Sequence, residues 1–457
     1  MPTSPNPTRA IAEYVHDGLS FQKLPREAIA NAKLVILDTI GVMFAGSRHE
    51  LGRIVTDYVR ANCATGRATV AGAGFQTSAE LAALANGTMA HAHDYDSDGH
   101  IPTHTLSAAL ALAETQSASG QQLILAYITG REVCKRLEEC SAAFHAGGDS
   151  GNRGWHTVGV TGTIGATAAA AKILGLDPHT TCHALGIGGS LSAGLWANRG
   201  SMTKPLHGGN AARNGVVASA LASKGFTADE TIFSTAGGFA DLYGLPADRV
   251  LAAVEKLGRE LDMINPIAFK RYPCVSPAHR YIETMRLMRS RYGLTADAVE
   301  SIECTASRSL RCPYPKTDLE SKFSADFSLV ATLIDGEVNL ANSNLSFLKR
   351  SDVQSLLKRT VYVEKPAGYE ANHADGFVRV KTKSGQVYQE DITREKGELA
   401  TYEDIRIKFH ACAAPVLGDE QARRIDSLVN ELEGLKSVAP LVGLLQPGAH
   451  SPASARV

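Results

Sequence analysis

The chain carries no excess of either charge. Its 457 residues hold 46 Lys and Arg against 47 Asp and Glu, a formal net charge of -1, and the sequence pI is near 6.9. Proteins that bind nucleic acid or acidic membranes show a basic footprint in this balance. None is visible, so neither partner is expected. Paired cysteines are also missing. The eight cysteines are scattered, without a Cys-x-x-Cys pair, which suits small buried thiols in a reducing cytoplasm and not a disulfide framework. The opening residues Met1 to Thr8 are polar and broken by Pro2, Pro5 and Pro7. They lack the basic and apolar blocks of a secretory leader. Counted as unbroken apolar stretches, nothing reaches the ~18 residues of a membrane span. We expect a cytoplasmic protein, long enough for about two or three domains.

Helical patterning fills residues 1–265. Pro25 to Gly46 carries Ile29, Leu34, Ile36, Leu37 and Ile40 on apolar faces, with Pro25 in the first turn and Gly46 at the end. Thr77-Ser78-Ala79-Glu80 has the form of a capping box before a helix Leu81 to Met89. Further helices are expected over Leu106 to Ser117, Gln121 to Arg136 and Gly159 to Leu174. The last is rich in Ala and Gly, which lets neighbouring helices approach closely. The pattern changes near Asp262. A helix is expected from Ser276-Pro277 to about Tyr292, then strands at Val299 to Cys304, Thr360 to Glu364 and Phe377 to Thr382. Lys383-Ser384-Gly385 turns the last into Gln386 to Ile392. Helices return at Thr401 to Ala411 and Asp419 to Leu432, and the tail Leu445 to Val457 reads as disordered. The expected fold is mainly α. A large all-α domain, residues 1–265 plus 401–457, receives a smaller α+β domain, residues 266–400.

Four stretches could carry chemistry. In the first, His91 to His104, four imidazoles and three carboxylates share fourteen positions. Asp94-x-Asp96-x-Asp98-Gly99 matches the first half of a calcium loop, but Thr105 stands where the closing Glu belongs. His91, His93, His100 and His104 suit a transition metal in type, without a fixed ligand frame. No metal is expected. The plain alternative is a set of caps and turn residues; the reading preferred here is acid–base chemistry. The second stretch, Gly154 to Ala166, has Gly159-x-x-Gly162-x-x-Gly165, which is not a dinucleotide fingerprint. It puts His156 and Thr157 at a helix start, where backbone amides favour a carboxylate. The third, Ser201 to Ala212, places Lys204-Pro205 and His207 in a tight turn before an Ala-rich helix. The fourth, Ala268 to His279, sets Lys270 and Arg271 at the start of the smaller domain, where ligand clefts often lie.

Together these stretches resemble the MmgE/PrpD family, which includes 2-methylcitrate dehydratases, cis-aconitate decarboxylases and iminodisuccinate epimerase. The shared elements are Asn86-Gly87-x-x-x-His91-x-x-Asp94-Tyr95-Asp96, Gly154-Trp155-His156, Lys204-Pro205-x-His207-x-Gly209-x-Ala211-Ala212 and Lys270-x-Tyr272-Pro273. The resemblance runs from about Ala12 to Pro415. It implies a helical domain with a smaller α+β lid, a homodimer, a polar pocket between domains, and no metal or organic cofactor. It places Asp94, His104, His156, Lys204 and Lys270 on positions assigned to the decarboxylase active site. Asp98 stands where those members have Thr, Val275 where they have His, and Phe327 where they have Tyr. Thr105-Leu106 replaces their Pro-Ser. The pocket is thereby more acidic and poorer in donors.

The chemistry these residues support is proton movement at a carbon next to a carboxylate. Lys204 and Lys270 would bind substrate carboxylates and screen enolate charge. His104 would be the acid–base group, and Asp94 would orient an imidazole. His156 would bind a carboxylate or act as a second acid–base group. Asp98, Thr157, His207, Arg271 and Phe327 are expected to contact the substrate, a small di- or tricarboxylate. Three functions stay open at this level: a cofactor-independent lyase, an epimerase of a dicarboxylate, and a silent binding protein that kept the fold.

Overall fold

The longest apolar helix, Arg26–Ser47, buries an unbroken stretch from Val35 to Gly46. Its partner comes from the far end of the chain: the helix Tyr402–Leu417 packs along it. The computed structural model to which these elements belong describes residues 6–140, 154–365, 374–393 and 400–448. Four more helices form the centre of this half: Ala79–Ala90, Ile101–Thr115, Thr157–Leu174 and Thr203–Ala222. Ile101–Thr115 and Thr203–Ala222 pack on each other and on both of the remaining two, and Gly120–Glu139 covers Thr157–Leu174. Small residues set the spacing. A methyl group added at Gly87 would stand 2.8 Å from both Gly209 Cα and Thr103 O, so three helices meet there at backbone distance.

A second core lies in the later part of the chain. Tyr281, Met285, Ile302, Phe327, Phe347, Val378 and Ile392 belong to it. The sheet behind them has four strands in the order Thr360–Tyr362, Val299–Cys304, Ala374–Thr382, Val387–Thr393. The first pair is parallel and the other two are antiparallel. Lys383-Ser384-Gly385 joins the last two, with Thr382 N–H donating to Gln386 O at 2.9 Å and Gly385 at φ 86°. The helices His279–Tyr292 and Ala325–Asp335 pack together over this core.

Several expectations need correction. The first half is not wholly helical, because Ala68–Val70 and Phe75–Thr77 form a short antiparallel ribbon. Three residues are too few to show a period. Thr77 ends that ribbon, and Ser78 caps the next helix without a side-chain hydrogen bond, so the expected capping box does not form. Capping boxes lie instead at Ser119 with Gln122 and at Thr401 with Asp404. Pro25 is the N-cap of its helix and not a first-turn residue. The helix expected from Leu106 starts at Ile101, which places His104 inside it. Two helices, Arg26–Ser47 and Thr157–Leu174, are long and apolar enough to cross a membrane by length and composition. Lys33, Asp38 and Lys172 interrupt them, so a count of unbroken runs passes over both. In the fold 72% and 78% of their apolar windows are buried, as befits core helices. All eight cysteines are free, and only Cys63 is fully exposed. Of the tail expected to be disordered, residues 449–457 lie outside the described residues.

Candidate active site

The Ala79–Ala90 helix stops at His91, and the chain then turns sharply. Asp94, Gly99 and His100 have φ of 51°, 64° and 71°. Asp and His enter the left-handed region more readily than most residues, still at a cost of about 1–3 kcal/mol each. Side-chain pairing holds the turn. Asp96 Oδ1 lies 2.9 Å from His91 Nδ1 and its Oδ2 lies 2.6 Å from His100 Nδ1. One carboxylate thus fixes two imidazoles.

Asp94 is surrounded by cations. Lys270 Nζ donates to its Oδ1 at 2.8 Å and to its carbonyl at 2.7 Å. Lys204 Nζ donates to the same Oδ1 at 3.1 Å. Burial opposes the charge on Asp94. The ammonium groups of Lys204 and Lys270 outweigh it and hold the carboxyl well below its ordinary range. The helix Tyr402–Leu417 helps set this geometry. Lys408 Nζ donates to Tyr95 O at 2.7 Å and Lys270 O at 3.1 Å, and it lies 2.7 Å from Asp38 Oδ1 on the long apolar helix.

The imidazoles form a connected group. His91 stacks on His156 at 6.3 Å between centroids and meets His100 edge-on at 4.2 Å. His156 Nδ1 and His207 Nδ1 are 2.9 Å apart. One must donate and the other accept, so only one of them carries a proton on Nδ1. Burial, then the charge of Lys204, pushes His91 down to about 3. Burial, then His91 and His100, pushes His104 down to about 3 as well. His207 is lowered to about 4 by burial first. All three are neutral bases at pH 7. His91 Nε2 and both nitrogens of His104 have no hydrogen-bond partner. The His104 ring lies against Gly162, where an added methyl would be 2.8 Å from its Nε2.

A small cavity opens beside this cluster. His91, Ala92, Asp94, Gly200, Ser201, Lys204 and Pro205 line it from the helical half, and Leu319, Lys322 and Phe323 from the second core's side. The ring of Phe323 lies 5.4 Å from Lys204 Nζ, a cation–π contact. Ligand atoms of His91, Asp94, Asp96 and His100 come within 4.8 Å of one another, close enough for a metal. Asp94 Oδ1 already receives two ammonium groups, and both oxygens of Asp96 face imidazoles. A divalent cation there would compete with the ammonium groups of Lys204 and Lys270, so the cluster is built as one lysine-neutralised and one imidazole-bound carboxylate.

Of the residues singled out from the sequence, Asp94, Lys204, Lys270, His156, His207 and His104 converge. Lys204 is not in a tight turn; it is the second residue of the helix Thr203–Ala222 and is buried. Thr157 begins the helix that His156 caps. Two residues do not converge. The Arg271 side chain is 68% exposed and points to Glu283. Phe327 packs in the second core, edge-on to Phe347 at 6.2 Å. The Asp98 side chain lies outside the described part of the structure. Asp94 was expected to orient an imidazole. Its contact with His100 is long, 3.4 Å, and Asp96 does the orienting. The sequence reading did not assign His91, Asp96 or Lys322 to the site. The first two sat inside the conspicuous His/Asp run, but spacing could not rank its members. Lys322 carried no signal.

Fold and site define a mainly helical protein with a buried Lys–Asp–His cluster at a cavity beside a second, sheet-backed core. The chain belongs to the MmgE/PrpD family: the MmgE/PrpD N-terminal domain matches residues 9–249 and the C-terminal domain matches residues 272–434. Among curated relatives, the cis-aconitate decarboxylase of Mus musculus is 29% identical over 96% of this chain and 93% of its own length. That of Homo sapiens is 28% identical, covering 96% and 94%. A cis-aconitate decarboxylase of Aspergillus terreus is 27% identical over 96% of each chain.

Proposed function

We propose that this protein is a lyase of the decarboxylase or dehydratase type acting on a small tricarboxylate. The observation that carries the reading is that Asp94, Lys204 and His91 line one cavity wall, with Lys270 and Asp96 bonded to Asp94 and His91 behind it. Its similarity to cis-aconitate decarboxylases over nearly the whole chain supports it. Lys204 and Lys270 are partly neutralised by one carboxylate, which leaves positive potential for a polycarboxylate. His91 is held by Asp96 at Nδ1, so its free Nε2 is the basic atom. Substrate carboxylates raise the proton affinity of nearby imidazoles. In a decarboxylation the C–C bond to a carboxylate breaks, carbon dioxide leaves, and the electron pair left on carbon takes a proton from an imidazolium. In a dehydration an imidazole removes the C–H proton, and the hydroxyl on the adjacent carbon leaves as water after taking a proton from the imidazolium so formed. His104, behind His91, tunes or relays that proton.

As part of the same proposal, the chain works without metal or organic cofactor, as a homodimer in the cytoplasm, and the sheet-backed part acts as a lid. The test is incubation with cis-aconitate, citrate-like and aspartate-like acids in deuterated water, followed by NMR. Deuterium beside a carboxylate, with release of carbon dioxide or water, is expected. Exchange with inversion and no release makes the protein an epimerase. Ligand binding with neither exchange nor product across the panel overturns the proposal in favour of a silent binder.

A further inference from the structure

The second core's side of the cavity brings one charged group, and no side chain or carbonyl hydrogen-bonds to it, although the carboxylates of Asp318 and Asp94 act on it from further away. Lys322 directly follows the short helix Asp318–Ser321. It is 2% exposed, its Nζ has no hydrogen-bond partner, and it lines the same cavity as His91, Asp94 and Lys204. Its backbone is fixed, with the carbonyl accepting Val275 N–H at 3.1 Å. The neighbouring carboxylate of Asp318 is engaged by His49 Nε2 at 2.7 Å. Lys204 and Lys270 are both committed to Asp94. A buried ammonium without a partner is strongly unfavourable and persists only where something offsets it.

We propose that Lys322 is the receptor for a substrate carboxylate. It takes a carboxylate remote from the one beside Lys204 and Lys270, and so selects acids charged at two ends over monocarboxylates. The substrate class rests on the function proposed above; the role of Lys322 as an anion receptor rests on its burial and lack of a partner. The test uses the full chain and tricarballylate, a saturated tricarboxylate with neither double bond nor hydroxyl, with butyrate as the one-ended control. Calorimetry should show tricarballylate binding to the wild type, at least tenfold weaker binding to Lys322→Met, and binding within about threefold for Lys322→Arg. Butyrate should bind weakly to all three. Without ligand, Lys322→Met should melt no lower than the wild type, because an unanswered buried charge is gone. Tricarballylate should raise the melting temperature of the wild type and of Lys322→Arg, and raise that of Lys322→Met much less.

Unchanged binding by Lys322→Met overturns the inference. So does a wild type that ignores tricarballylate, or a ligand-free Lys322→Met that melts well below wild type while Lys322→Arg does not. Should Lys322→Met fail to fold, Lys322→Gln gives the same reading. A wild type that binds tricarballylate through Lys322 but neither converts nor exchanges any acid defeats the lyase reading and leaves this one standing. Turnover of cis-aconitate with KM untouched by Lys322→Met does the reverse.

Discussion

The two halves of the molecule pack by different means. In the helical half, glycines and alanines bring backbones together, so Gly87, Thr103 and Gly209 meet where a methyl has no room. In the sheet-backed half, large side chains such as Tyr281, Met285, Phe327 and Phe347 fill the space. The helical half also supplies paired charges at and behind the cavity wall: Asp94 with Lys204, joined by Lys270 from the junction with the other half, and Asp96 with two imidazoles. The other side supplies Lys322 alone. Backbone contact leaves little freedom, so it fixes imidazoles and carboxylates within a small tolerance, which is what proton transfer requires. Side-chain packing tolerates more rearrangement, and the group it presents is a single charge that needs position less than sign.

The contrast can be broken or sharpened by mutation. The largest effect should come from the paired wall. His91→Asn is expected to lower kcat about 10²–10⁴-fold while circular dichroism and tricarballylate binding stay near wild type. A variant that keeps full turnover would move the acid–base role to His104, which His104→Ala tests directly. Next, Phe327→Ala should destabilise the chain by about 3–5 kcal/mol in urea unfolding, because a fully buried ring leaves a cavity. Enzyme that remains folded should keep its KM, since Phe327 is buried in the second core and does not line the cavity. A raised KM with unchanged stability would contradict that placement.

Acid should act on the helical half next. His91 and His104 titrate near 3 in the folded state, below the ordinary value of about 6.5. As pH falls, the unfolded chain takes up protons first. Their stabilising contribution is complete above pH ~6.5 and is lost progressively toward pH 3, at about 2 kcal/mol per imidazole by pH 5. Unfolding at pH 7.5 and pH 5 measures the loss, and His104→Leu should flatten the slope by about half of that. The smallest stability effect is expected from Gly162→Ala. The new methyl pushes on the His104 ring and costs about 1–3 kcal/mol. Its activity loss should exceed what so small a destabilisation explains, whereas the same change at Gly385, in an open hairpin turn, should leave kcat alone. Equal effects on kcat at both glycines would remove the distinction between the halves.

Much of the architecture was legible from pattern. Apolar periodicity marked the long helices, alternation marked Val299 to Cys304, and Lys383-Ser384-Gly385 marked its hairpin. The ribbon at Ala68–Val70 was too short to leave a period. Arg271 seemed as good a ligand as Lys270, its neighbour, because sequence does not say which way a loop side chain turns. Phe327 was drawn into the site by resemblance alone, while packing placed it against Phe347.

The order of residues alone settled which chemical groups are available. Histidines, aspartates and lysines stand at helix ends and starts, where the chain turns and apolar periodicity stops. It also settled that small residues would let those helices touch. Tertiary structure alone decided the partnerships. Asp94 and Lys204 are 110 positions apart, and Asp94 and Lys270 are 176 apart, so no local rule could pair them. Whether a carboxylate faces a lysine or an imidazole, and whether an ammonium such as Lys322 faces nothing, depends on where distant backbones meet. Burial then sets the strength of each charge, and only the folded chain has an interior.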